Sequence, residues 1–294
     1  AGGAMTTCNS NVVIGVQAGD ALTTTSDIVL VGRGAGSAIN HTDADGSVGI
    51  GKNALLYLTE GLSNLAIGRG ALESCATSDY NLAIGDNALA AVNGDGTGGN
   101  IGIGYRAGIS ITDGVLNTII GVSALYTNAQ SDRNIAIGYE SLRYPTTGAD
   151  DCIAIGYQAL AGNWTTSASP RNIAIGNYTL DGVLVTAVDN IAIGHQALTD
   201  LTSGDENICI GSISGANITS GRYNTIMGSA AGNAFLLASK TVIIGNVACA
   251  NGAMTAAADG TVAIGYASLL ALTSGIGNVA IGSGSLAVNA TSDF

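Results

Sequence analysis

Asn190-Ile191-Ala192-Ile193-Gly194-His195-Gln196-Ala197-Leu198 is one copy of a motif that fills the chain. Other copies open on Asn64-Leu65-Ala66-Ile67-Gly68, Asn134-Ile135-Ala136-Ile137-Gly138 and Asn278-Val279-Ala280-Ile281-Gly282. Sixteen anchor glycines run from Gly15 to Gly282, spaced 17 to 20 residues apart, and no copy is skipped. A fixed short period of this kind marks a repeat architecture, in which each unit buries its apolar surface only against its neighbours. The chain therefore reads as one continuous array over residues 1–294, about 16 coils of 17–20 residues, with no separate domain.

Each motif position has a physical reading. The residue before the anchor glycine is Ile in fourteen copies, with Val31 and Met227 the exceptions. Two residues earlier stands Val, Leu or Ile in fourteen copies, with Thr118 and Thr225 the exceptions. Large apolar residues at period two mark one face of a short strand. The residue between them is Ala in eight copies, Gly in two and Cys209 in one. In the other five it is Val13, Leu30, Ile119, Ile226 or Ile243. A strand apolar on both faces is covered on both. Ile and Leu are assigned to the core columns, with the small residue on the second, thinner face.

Asn opens the motif in eleven copies: Asn11, Asn64, Asn81, Asn100, Asn117, Asn134, Asn172, Asn190, Asn207, Asn224 and Asn278. Stacked in register these form a ladder, each side-chain amide bonding its equivalent in the next coil and capping the turn backbone. Glycine at every anchor implies positive φ or close backbone approach. Three residues after it stands Ala, Ser or Thr, then Leu in ten copies and Gly in five, with an apolar residue or Cys three further on in eleven. That spacing predicts one helical turn packed behind the strand. The fold expected is mainly β, a parallel β-roll or β-helix solenoid with short helical turns. Its thin core and second apolar strand face predict several chains packed together as a homo-oligomer.

The Asn-aliphatic-Ala-Ile-Gly motif resembles the head repeats of trimeric autotransporter adhesins. Gly156-Tyr157-Gln158-Ala159-Leu160 is similar to repeats of phage and large-virus tail-fibre and appendage proteins, and Gly194-His195-Gln196-Ala197-Leu198 and Gly138-Tyr139-Glu140-Ser141-Leu142 nearly match it. The period of 17–20 departs from the shorter adhesin repeat. The resemblance implies an extracellular or virion-surface fibre, usually a homotrimer, and transfers no catalytic residue.

Composition agrees with a fibre. Charged residues make up 10% and aromatic residues 4%, with 47% hydrophobic residues, 44 Gly and two His. That combination excludes a disordered chain, and two prolines exclude collagen. Gly, Asn or Asp interrupts every apolar run, which excludes insertion in a membrane as helices. Net charge is −12, and nine scattered basic residues make no nucleic-acid-binding face. The five cysteines are odd in number and carry no C-x-x-C pair, so they read as small buried residues, with an inter-chain bridge through Cys8 a lesser alternative.

Candidate binding residues are few. Tyr105, Tyr139, Tyr157, His195 and Tyr266 all follow an anchor glycine and would align as an intermittent exposed stripe. Such a stripe either stacks on sugars or packs against another chain. Trp164 lies in a long coil and is placed at a loop tip, as a ligand contact or a hydrophobic cap. His41-Thr42-Asp43-Ala44-Asp45-Gly46 resembles a calcium loop but lacks the remaining ligands, and reads as a solvated turn. Asn40, Asn163, Asn177, Asn217 and Asn289 begin N-x-S/T sequons, a density that chance explains in a chain rich in Asn, Ser and Thr. No metal site, cofactor site or catalytic set is read, and the acids look scattered through variable loops. The expected function is a structural fibre or filament of an extracellular or virion-surface appendage, either as a piece of a longer fibre or as subunits stacking head to tail. The alternative is an adhesin or receptor-binding module recognising a host glycan or surface protein. An ice-binding surface would need a fixed outward Thr column, which is absent from the sequence.

Overall fold

The computed structural model describes the chain except residues 1, 3–4, 95, 128, 146–147, 165–167, 235–236, 253, 289–290 and 292–294. It is a parallel β-solenoid of about 15 turns. The chain divides into two compact units, Ala1–Thr147 and Gly148–Phe294. Each contains eight three-residue strands, one per motif copy, that pair parallel in chain order. In the first unit they run from Val12–Ile14 to Ile135–Ile137, and in the second from Ile153–Ile155 to Val279–Ile281. Register is one-to-one: Leu65, Ala66 and Ile67 lie beside Leu82, Ala83 and Ile84. The same holds for Ile173, Ala174 and Ile175 beside Ile191, Ala192 and Ile193. A second parallel pair in the first unit joins Ser78–Asp79 to Gly96–Thr97.

The anchor glycine makes the corner possible. Gly68 has φ +139°, and a Cβ built there would collide with the backbone carbonyl of Gly85 in the next coil. Any side chain would push the coils apart.

After the glycine the structure departs from the helical turn expected. The 3-10 turns Thr42–Ala44 and Ala256–Ala258 are the helical elements among the described residues, and both lie away from this segment. Instead two tight turns follow one another, closed by Ala71 N–H to Gly68 C=O at 3.4 Å and Cys75 N–H to Leu72 C=O at 3.3 Å. The second and fourth residues after the glycine are left-handed, as at Gly70 (φ +65°) and Leu72 (φ +49°). This alternation sends successive amides in opposite directions along the stack. Gly70 N–H bonds Lys52 C=O of the preceding coil at 3.0 Å, and Leu72 N–H bonds Ala88 C=O of the following coil at 3.1 Å. A helix would spend those groups within its own coil. The left-handed Leu is strained, and its burial together with an inter-coil bond offsets the cost.

The assignment of strand faces is also reversed. The middle residue of the strand points inward: Ala66, Ala83, Ala136, Ala154, Ala174 and Ala192 are fully buried. The Ile, Val and Leu residues flanking it point outward and are half-buried or exposed. The interior is filled instead by Leu after the turn, including Leu72, Leu89, Leu142 and Leu198, and by apolar residues such as Leu58, Ile111 and Leu201. The coil is too narrow for two large layers, so size rather than hydropathy sorts the faces. The five copies with Gly at the Leu position show the same constraint. A Cβ on Gly36 would lie 2.7 Å from the Leu30 side chain, and one on Gly108 2.8 Å from Ile119. Where a large side chain enters from the strand, the turn opposite or adjacent to it gives way.

Candidate functional site

The asparagine column is a hydrogen-bonded ladder buried inside the coils. In the first unit Asn81 donates its backbone N–H (2.9 Å) and Nδ2 (3.2 Å) to Oδ1 of Asn64. Asn100, Asn117 and Asn134 repeat the pattern, each on the rung before it. In the second unit Asn190 bonds Asn172, Asn207 bonds Asn190, and Asn224 bonds Asn207. Thr241 ends that run with its hydroxyl 2.7 Å from Oδ1 of Asn224. A second Nδ2 hydrogen holds a turn carbonyl, as from Asn64 to Ser78 and from Asn207 to Gly221, both at 2.8 Å. Oδ1 of Asn278 is buried with no partner among the described residues, since no rung follows it there.

The acids are not all scattered: a second column runs beside the asparagines. Asp45, Asp79, Asp132, Asp205 and Asp259 each stand two residues before the ladder position. Each accepts a backbone N–H from the preceding coil, at Ser26, Leu62, Val115, Val188 and Ser239, over 2.7–3.1 Å. Their common offset from the Asn column was the available signal. Asp45 is thus held as a backbone acceptor, and Asp43 sits beside His41 at 3.4 Å. Among the described residues no group of three or more His, Cys, Asp and Glu could hold a metal ion.

Each unit presents an outward strand face. In each unit sixteen positions, two per strand, project from it. Across both units all thirty-two hold Val, Leu, Ile, Met or Thr, with no charged residue. Several are well exposed, with Ile14 at 59%, Val12 at 45% and Met227 at 40%. Two edges flank it. One is the residue before the ladder position, left-handed at Asp27, Leu116, Arg133 and Asp189. The other is the residue after the anchor glycine, which carries the tyrosine stripe.

Tyr105, Tyr139, Tyr157 and Tyr266 are all exposed, as is His195. Tyr105 lies under the Arg106 guanidinium at 4.9 Å. In the second unit Tyr178, one position further along its coil, stands between Tyr157 (5.3 Å, edge-on) and His195 (6.1 Å, edge-on). Next to this row is an open cleft of about 330 Å³ lined by Gln196, Thr199, Asp200, Ile213, Ala216, Asn217 and Asn233. Trp164 is fully buried, so it is a core residue and not an accessible loop-tip contact. Asn40, Asn163 and Asn177 are exposed and Asn217 is partly so, while Asn289 lies outside the described residues.

Burial holds the thiols inside the coils protonated. Burial pushes the Cys75, Cys152 and Cys249 thiols up to about 12 and raises Cys209 as well. Partial burial raises Asp181 to about 6, against a bond from the Ala161 backbone that lowers it.

The class these features define is a parallel β-solenoid repeat protein with a buried amide ladder and an uncharged outward strand face in each unit. No protein-family model matches the chain, and no curated protein or solved structure is significantly similar to it.

Proposed function

We propose that this chain is a structural, non-enzymatic subunit of a fibre or filament on a cell or virion surface, and that copies associate through the outward strand face. The uncharged aliphatic face carries this reading. The chain bears a net charge of −12, so two copies repel at most approaches. Along this face they meet without charge and remove aliphatic side chains from water. The sixteen outward residues of one unit, with the edges beside them, approach the ~20–30 residues a side of a standard specific interface. The motif resemblance to trimeric fibre proteins points to three copies. Light scattering on the purified chain tests the association: a mass of two or more chains supports the reading, and a monomer at micromolar concentration overturns it.

A second reading, glycan recognition, is favoured by the Tyr157–Tyr178–His195 row beside a cleft of amides, a hydroxyl and a carboxylate. Aromatic faces stack on sugar rings and such polar groups bond sugar hydroxyls. Binding to a glycan array that is lost in Tyr178→Ala would support it, and an array without signal would remove it.

A further inference from the structure

The two edges of the outward face carry a pattern that the face itself lacks. We infer that copies of this chain lie side by side, parallel and in coil register, with the residue after the anchor glycine on one copy facing the residue before the ladder position on its neighbour. This rests on the seam proposed above and adds its geometry and its specificity residues.

Rotation about an axis parallel to the stacking direction, for two copies or three, brings unlike edges together at the same coil level. The facing pairs then follow from the sequence. Asp27 meets Arg33, Arg133 meets Tyr139 and Asp189 meets His195, with Leu116 against Val122. Within each unit no facing pair has like charge. The Leu116–Val122 level matters most. Both side chains are exposed, at 54% and 40%, where the edge is elsewhere mostly polar, and in-register packing covers each with the other. Thr118, one of the two threonines in the outward column, stands at that same level, so equivalent hydroxyls share it. Neither Asp27 nor Arg33 has an ion-pair partner among the described residues.

The alternatives are poorer. An antiparallel pairing centred on the first unit puts like edges together, with Asp27 against Leu116 and Arg33 against Val122. Two charges are then buried on apolar partners. Sliding by one coil in one direction keeps Asp27 opposite a cation, Lys52, but separates Leu116 from Val122 and sets Arg171 against His195. Sliding the other way puts Arg133 on Val122.

Disulfide trapping in the full chain with Cys8→Ser tests this, because the other four thiols are buried. A bond needs Cβ atoms about 3.5–4.5 Å apart. Within one chain Leu116 and Val122 sit on opposite edges of a strand face, too far apart to bridge. Oxidised Leu116→Cys/Val122→Cys is expected to run as covalently linked chains on a non-reducing gel. Each single variant, and Leu116→Cys/Tyr139→Cys, should stay mostly unlinked. Light scattering on each variant before oxidation separates the two levels of the argument. A multimer that links through Tyr139→Cys, through Leu116→Cys alone, or through none of these variants overturns the register while leaving the seam. A monomer overturns both. As a second measure, Asp27→Arg should weaken assembly by roughly two- to five-fold per contact. Arg33→Asp should restore it; restoration by Lys52→Asp instead would show a one-coil slide.

Discussion

A single amide does three things in this solenoid. Asn117 gives two hydrogens to Asn100, gives another to the Ser131 carbonyl, and accepts from Asn134. Asn117→Ala keeps the backbone N–H to Asn100 but removes the acceptor of two buried Asn134 N–H groups and the donor to the Ser131 carbonyl, which we expect to cost about 2–4 kcal/mol. Urea titration of the variant measures it, and a loss below about 0.5 kcal/mol would contradict a structural ladder. The ladder was legible because Asn recurs at one offset from the glycine. The Asp column recurs at its own offset but is interrupted by Ser26, Ser239 and apolar residues, so it read as loop charge. The thiols make a second prediction. With burial holding Cys75, Cys152, Cys209 and Cys249 protonated, iodoacetamide should label Cys8 alone in the native chain and all five cysteines in denaturant. Mass spectrometry counts the adducts.

At the scale of one coil, strand and turn share a fixed volume. Gly36 faces Leu30 where eight of the sixteen coils pair Leu with Ala, as Leu72 with Ala66. Gly36→Leu should therefore be destabilising by about 1–3 kcal/mol through overpacking. Leu30→Ala should recover much of that loss, because the double variant restores the common arrangement. A thermal-melt cycle over the four proteins reads the coupling, and additive effects would refute the shared volume. Asp181 gives this scale a pH dependence. Its folded pKa of about 6 exceeds the ordinary value of 3.8, so the folded state holds a proton that the unfolded chain has lost between those values. Stability then falls as pH rises from about 4 to about 6. The effect is on the order of 1 kcal/mol once screening at its exposed side is allowed for. Asp181→Asn should flatten that part of the stability profile. The turn was misread at this scale: small, Leu and a later apolar residue fit a helical period, but the left-handed residues at Gly70 and Leu72 exist because neighbouring coils accept their amides.

At the scale of the whole molecule, the outward face should govern assembly more than folding. Ile137→Lys together with Ile175→Lys adds a charge to that face in each unit without touching the interior. We expect native-like circular dichroism with a fall in mass to the monomer, since a charge buried on aliphatic partners is costly. An unchanged multimer would place the seam elsewhere. The amino-acid sequence by itself determined the period, the strand positions, the glycine corner and the amide ladder. Each is a local requirement repeated in one column, so repetition exposes it. Tertiary structure alone decided which strand face turns inward and what path the chain takes after the glycine. Both strand faces are apolar, so alternation is silent about direction. Only the narrow interior, already filled by residues such as Leu72 and Leu89, forces Ala inside and leaves Ile outside.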